Sequence, residues 1–401
     1  ITGDTKYAQA AWIEIENICK LEHWNPLSYL DVGELSAIVG LGYDWFYNYL
    51  STEQKAFVEE ALISKGLQIQ YDFYNGRYKN NDEVYWTWWD NANNWNVVCN
   101  GGCMIGAIAV MDKYPELCSG VISHSLRGME FMMTCYFPEG AWLEGGGYWS
   151  YALGYLAFTM SSFDNAFGND FGFLCSPGLE STGWFGLKLS GSTAINNYGD
   201  AALSFVDNKA VLWCADVYQD AELAAARLQE MERQGYTGNA FDMIYYNAEL
   251  LNGASVSIPL DTVLESMSVV SLRERWYDKG ATFLGFSGMK PKSGHAHMDT
   301  GTFVVDMLGE RIIKDPGAED YNAPGYFSTD RYKYYRARPE GHNIYIINPT
   351  NDAADYGGFT PWVEAKNTPI VSKARGAYST LDLSQVYQED TSYAIRGYFL
   401  G

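Results

Sequence analysis

The chain has 401 residues, of which 47% are hydrophobic and 19% charged, a balance that excludes a disordered protein and is long enough for two domains. Its net charge of −22 excludes nucleic acid as a partner, because neutralising phosphates takes clustered Lys and Arg. No apolar run reaches the length of a membrane span, so no membrane is expected as a partner.

The first two-thirds reads as helix after helix. Ser51-Thr52-Glu53-Gln54 has the pattern of a capping box and opens a helix to about Lys65. Asn93 to Lys113 carries a second long helical pattern that includes Gly101-Gly102. Each glycine costs about 1 kcal/mol relative to Ala in a helix interior, so close helix packing or a functional approach is the expected compensation. Pro115 sits at the first turn of a helix reaching about Tyr136. Tyr148 to Phe167, Leu179 to Leu189 and Asp216 to Gln234 follow.

Past Asn252-Gly253 the character changes to short β-rich runs at 268–272, 282–286, 302–306 and 343–347, with a strand-like end at 392–398. The expected fold class is α+β and multidomain, with a helical region at 1–255 and an antiparallel β region at 256–401. The strand-like end stops abruptly, as an incomplete sheet region would, and the start Ile1-Thr2-Gly3-Asp4 does not read as a natural initiation site, which leaves a removed leader open. The seven Cys include no Cys-x-x-Cys and all precede residue 215, which does not make a disulfide framework. Cys99 and Cys103, one helical turn apart, read as core residues.

Two stretches stand apart from this plain pattern. The first is aromatic and amide-rich. The chain holds 13 Trp, 31 Tyr and 19 Phe. Trp86-Thr87-Trp88-Trp89 precedes Asp90-Asn91-Ala92-Asn93-Asn94-Trp95-Asn96, and Trp142 and Trp149 follow later. Aromatic faces suit the apolar faces of sugar rings, although core packing accounts for such rings equally well. One helix cap needs one Asn, and the others would present amides at a rim. Pro138-Glu139-Gly140 leads into a Gly-rich loop that ends in Tyr148-Trp149-Ser150-Tyr151, with Tyr148 and Tyr151 on one helical face.

The second stretch is Gly294-His295-Ala296-His297-Met298-Asp299. The chain has five His, and two of them stand here. On an extended strand His295 and His297 would share a face. With Asp315 in Lys314-Asp315-Pro316-Gly317 and with His342 beside Asn343, they make the donor set that zinc prefers. A pair of hydrogen-bonded strand histidines is the plain alternative.

Taken together these segments resemble the heparinase II/III-like polysaccharide lyases and the related oligoalginate lyases. The residues that carry the likeness are Asn93-Asn94-Trp95-Asn96 with Asn100-Gly101-Gly102, Pro138-Glu139-Gly140 through Tyr151, His295-x-His297-x-Asp299-x-Gly301-x-Phe303, Gly309 with Asp315-x-Gly317-x-x-x-Tyr321, and Arg336 before His342-Asn343. The resemblance implies an incomplete (α/α) toroid followed by an antiparallel β-sandwich. It implies a carbon–oxygen lyase that acts on a uronate-containing oligo- or polysaccharide, either alginate or a glycosaminoglycan, by β-elimination. By position Asn94 matches the family's carboxylate neutraliser, with Asn93 in reserve. Tyr148 matches its catalytic Tyr, with Tyr151 in reserve, and His295 matches the His that completes the site. His297, Asp315 and His342 match ligands of a structural zinc, with Asp299 expected among their supporting contacts. Trp89, Trp95, Trp149, Glu144, Tyr326, Tyr332 and Arg336 are candidate substrate contacts. Arg336 belongs to the one basic cluster of the region, with Arg331, Lys333 and Arg338, for which a solvated edge is the alternative to a carboxylate clamp.

The helix-start segment lacks the His found in several family members, which removes one marker of the substrate. The strong negative charge favours short oligosaccharides over long sulfated chains, by repulsion. A glycoside hydrolase is the alternative enzyme, with Asp90, Glu139 and Glu144 as available carboxylates, and a glycan-binding protein without turnover is the alternative class. The oligomeric state, a homodimer being one option, and the compartment, periplasm or cytoplasm of a bacterium, stay open.

Overall fold

A computed structural model describes residues 3–77, 88–204, 209–290, 294–349, 356 and 358–401; Trp86 and Thr87 of the aromatic run lie outside them. The chain forms two compact units, Ile1–Cys135 with Tyr151–Ser176, and Tyr136–Ser150 with Pro177–Gly401. These units do not divide where helices give way to strands, between Ile244 and Thr262. Several helices and the Gly-rich loop before Tyr148 belong with the sheets.

The first unit is helical. It holds α1 (Thr5–Lys20), α2 (Leu30–Trp45), α3 (Thr52–Leu62), α4 (Gln68–Tyr74), α5 (Asn94–Val110), α6 (Pro115–Met133) and all but the first turn of α7 (Gly146–Phe167). Local chemistry sets the starts. Ser51 and Gln54 form a reciprocal capping box on α3, and the Asn93 side chain accepts from the Asn96 amide to cap α5. The helix opened by Ser51 runs beyond Lys65, through a π-helical turn at Ile63–Leu67 and into α4. Glycine explains the central packing. A Cβ on Gly102 would lie 2.1 Å from the Gly33 carbonyl oxygen, and one on Gly40 would lie 2.8 Å from the Gly106 Cα. Helices α2 and α5 thus meet backbone to backbone, which is the compensation expected for glycine inside α5. Cys99 and Cys103 are buried beside this contact, and burial raises both thiols.

The second unit adds α8 (Phe185–Leu189), α9 (Val211–Val217), α10 (Ala221–Gln234) and α11 (Ala240–Ile244) to two antiparallel sheets. Asp220 caps α10, and Gly235 ends it at a φ of +63 that glycine adopts without strain. The first sheet runs in sequence order through β1 (Thr262–Leu264), β2 (Val269–Arg273), β3 (Phe283–Ser287), β4 (Phe303–Met307) and β5 (Glu310–Ile313). In the second, β8 (Gly376–Asp382) pairs with β6 (Lys366–Asn367), β7 (Val371–Lys373) and β9 (Ile395–Leu400). Alternate residues of β8, Ala377, Ser379 and Leu381, are buried as a half-covered strand requires. The sheets share one core, in which Val270, Leu272, Leu284 and Phe286 meet Leu381, Leu383 and Tyr398. Phe286 stacks on Tyr398 with ring centroids 3.9 Å apart.

The expected order, helices first and antiparallel sheets after, is therefore the observed one. One expected strand is absent: 343–347 forms no ladder. The Asn343 amide instead donates to the carbonyls of Phe303, at 2.8 Å, and Lys314, at 2.9 Å, while Ile344 and Ile347 pack on the core. Among the described residues no helix is long and apolar enough to cross a membrane.

Candidate active site and metal cluster

The candidate site of the second unit is assembled around a residue that the sequence does not single out. Asp200 has a fully buried side chain. Its Oδ2 lies 2.8 Å from His295 Nδ1 and its Oδ1 2.8 Å from His297 Nε2. Arg331 Nη2 donates to both oxygens, at 2.8 and 2.9 Å. Tyr326 donates to Oδ1 at 2.5 Å and Tyr321 to Oδ2 at 3.2 Å. Burial alone would raise this carboxyl, but hydrogen bonds from His295, His297 and Tyr326 outweigh it and hold Asp200 far below the usual carboxylate range.

An ionised carboxylate only accepts, so the tautomers follow from the contacts. His295 carries its proton on Nδ1 and turns Nε2 toward Glu144, whose Oε1 is 4.0 Å away. His297 carries its proton on Nε2, leaving the Nδ1 lone pair bare. His295 and His297 sit in a turn between β3 and β4, not on the expected strand. Their convergence comes from reaching two oxygens of one carboxylate, not from strand alternation.

Tyr148, in the first turn of α7, stacks on His295 with ring centroids 4.0 Å apart and planes 24° from parallel. Its hydroxyl bonds that of Tyr321, which also lies 3.4 Å from His295 Nδ1. Tyr321 also bonds Asp200, so the three groups form a chain. The Tyr148 phenol is not lowered, as a resting base would need. Burial, with Asp200 and Glu144 nearby, pushes it up to about 12, against the bond from Tyr321.

A second cluster adjoins the first. His297, Asp299 and His342 are all buried and offer ligand atoms within 4.8 Å of one another. His342 Nδ1 lies 2.6 Å from Asp315 Oδ2, and that carboxylate raises the imidazole against its burial. His297 Nδ1 and His342 Nε2 are buried with no hydrogen-bond partner among the described residues. Two imidazoles, each with one nitrogen held by a carboxylate and the other orphaned, are the arrangement that metal-binding histidines take. Burial raises the Asp299 carboxyl, a desolvation cost that a cation would offset. The residues present therefore fit zinc. Asp299 offers a carboxylate oxygen beside the two imidazoles, and Asp315, the carboxylate that the resemblance implied as a ligand, adjoins His342 and accepts from Thr302 at 3.2 Å.

The other candidates divide. Glu144 stands at the His295 side of the cluster and accepts from Trp142 Nε1 at 3.2 Å. Tyr326 is buried against Asp200, a support and not a substrate contact. Trp149 has no exposed surface; it donates to Thr182 at 2.9 Å and packs on Phe185, so it cannot face a sugar. Tyr332 is buried in the sheet core, edge-on to Trp362. Arg336 staples a loop through the carbonyls of Pro316 and Ala318. The basic cluster disperses, as Lys333 pairs with Asp330 and Arg338 with Glu340.

Five candidates lie in the first unit. Asn93 is the α5 cap, and Asn94 is buried at the first position of that helix. The Asn96 amide is spent on the carbonyls of Trp89, Asn91 and Gly128. Trp89 meets Tyr74 and Phe131 edge-on, and Trp95 is half-buried. Tyr151 donates to Glu34, and burial with that carboxylate raises its phenol far above the ordinary value. Its hydroxyl is thus committed inside the helical unit, which removes it as an understudy to Tyr148.

Comparison with known proteins agrees with this architecture. Residues 271–377 match the family model described as heparinase II/III-like, C-terminal. Among curated proteins none matches the sequence significantly. Among solved structures the chain is similar to the heparan sulfate lyase HepC from Pedobacter heparinus, with 15% identity and a TM-score of 0.54 over 95% of this chain and 55% of that one. It is also similar to a heparinase III, the BT4657 gene product, with 13% identity and a TM-score of 0.57 over 99% of this chain and 59% of that one. The chain spans little more than half the length of these structures. The family match is thus confined to residues 271–377, and the likeness over nearly the whole chain is one of fold.

Proposed function

We propose that the protein is a polysaccharide lyase that cleaves a uronate-containing glycan by β-elimination. The observation that carries this reading is the stacked pair of Tyr148 and His295, a phenol that burial keeps protonated and an imidazole held at Nδ1 by Asp200. The reaction breaks the C–H bond next to the uronate carboxylate. The electron pair left there forms a C=C bond as the glycosidic C–O bond opens, and the leaving oxygen takes a proton. In this reading His295 Nε2 accepts the first proton, and Tyr148, whose phenol burial pushes up to about 12, gives the second.

Zinc, when bound, would supply the positive charge that gathers His297, Asp299 and His342; its role in this reading is to hold the fold around His295. A hydrolase needs two accessible carboxylates. Glu139 is engaged with Ser266, and Asp200 is wholly buried, so neither serves as a partner to Glu144.

The substrate is tested by incubating the protein with alginate oligomers, heparin, heparan sulfate, chondroitin and hyaluronan. Growth of unsaturated-uronate absorbance on one of them is expected. New reducing ends without that absorbance would transfer the protein to the hydrolases. Binding without either product would make it a lectin-like module.

A further inference from the structure

We propose that Asp200 is a positioning residue that couples occupancy of the His297–Asp299–His342 cluster to the placement of His295. The proposal rests on the lyase reading for the role of His295, but the coupling itself is a property of the geometry.

One carboxylate serves both clusters. Oδ2 takes the Nδ1 proton of His295, and Oδ1 takes the Nε2 proton of His297, each at 2.8 Å. The nitrogen of His297 across the ring from that bond is the orphaned one that faces the ligand cluster. The two oxygens share one rigid plane, so His297 cannot swing toward or away from a cation without turning Asp200 under His295. Arg331, bound to both oxygens through one nitrogen, fixes where that plane lies.

The backbone repeats the connection. The Asp200 amide donates to the His295 carbonyl at 3.0 Å, and the adjacent Gly199 amide donates to Asp299 Oδ2 at 2.8 Å. Gly199 stands at a φ of +55, and a Cβ there would lie 2.5 Å from the His295 oxygen. One dipeptide therefore touches a cluster ligand and the stacked imidazole at once. A metal that draws His297 and Asp299 together would set the turn that carries His295, without bonding to it.

The test reads the imidazoles directly. With five His in the chain, the ring nitrogens of 15N-histidine-labelled protein are resolvable, and His295 is assigned by its loss in His295→Gln. Spectra are taken with zinc and after chelation. The His295 resonances are expected to shift on zinc removal together with those of His297 and His342. In Asp200→Asn the His295 response should be lost, and zinc affinity, read by competition with a chromophoric chelator, should weaken by roughly 10- to 100-fold. A His295 signal unmoved by chelation while His297 and His342 respond would overturn the proposal, as would unchanged zinc affinity in Asp200→Asn or no zinc binding by the native protein. The chelation experiment uses the unmodified protein, so it stands even if Asp200→Asn does not fold. Absence of unsaturated product from any uronate glycan would defeat the lyase reading and leave the coupling measurable.

Discussion

Tyr148 and His295 lie face to face, with ring centroids 4.0 Å apart, and each is tied to Asp200, His295 directly and Tyr148 through Tyr321. Two groups that can carry protons in opposite directions are thereby held as a unit. Replacing His295 with Gln keeps a polar side chain of moderate size but removes the imidazole that this reading uses as the base. The expected loss is about 10²- to 10⁴-fold in kcat, with KM changed far less. Steady-state kinetics on the responsive glycan checks this, and an unchanged kcat would remove His295 from the chemistry.

Alkaline pH should loosen the second unit. Tyr148, Tyr332, Tyr387 and Tyr398 are each pushed up to about 12, with burial the leading cause. An exposed phenol titrates near pH ~10. Between those values the folded chain keeps protons that the unfolded chain has lost. Their stabilisation is thus complete below pH ~10 and disappears as the pH rises through about 12. Thermal melts across this window should show a falling Tm, and Tyr332→Phe should flatten the slope. A Tm independent of pH there would contradict the burial of these hydroxyls.

Metal removal should act on stability before it acts on chemistry. Zinc present at 100 times its dissociation constant stabilises a folded site by about 2.7 kcal/mol. Chelation is therefore expected to lower the Tm, and zinc to restore it. His342→Ala, which deletes one orphaned ligand atom, should abolish the response, whereas Asp315→Asn should only weaken zinc binding, by roughly 10- to 100-fold. A native protein that copurifies without metal and whose Tm ignores zinc would show that the buried cluster is held by its hydrogen bonds alone.

Trp149 reads from sequence as a sugar platform and is instead a buried strut. Trp149→Phe removes the bond to Thr182 at 2.9 Å and opens space against Phe185. It should cost about 1–3 kcal/mol in denaturant unfolding and leave KM unchanged. A raised KM with full stability would place the ring back at the substrate.

What the sequence made legible was local. The capping box at Ser51, an Asn cap on the second long helix and the Pro115 helix start depend on neighbours a few residues away, and all three are observed. The close contact expected of Gly101-Gly102 is met by the approach of Gly102 to Gly33. The strand expected at 343–347 misled because Ile344 and Ile347 do face the core, but the Asn343 amide and His342 are held by other segments. Asp200 escaped notice for a different reason. Its partners lie 95 to 131 positions away, and within Asn196-Asn197-Tyr198-Gly199-Asp200 only the glycine before the acid hinted at a tight approach.

The most direct measurement compares native protein with Tyr148→Phe by ultraviolet absorbance on the glycan that responds. The substitution removes one hydroxyl and keeps the ring that stacks on His295. Loss of unsaturated-uronate formation by about 10²-fold or more, with unchanged melting behaviour at neutral pH and unchanged glycan binding, is the predicted result. Undiminished product from Tyr148→Phe would contradict the assignment of the proton donor and, with it, the account of how this site works.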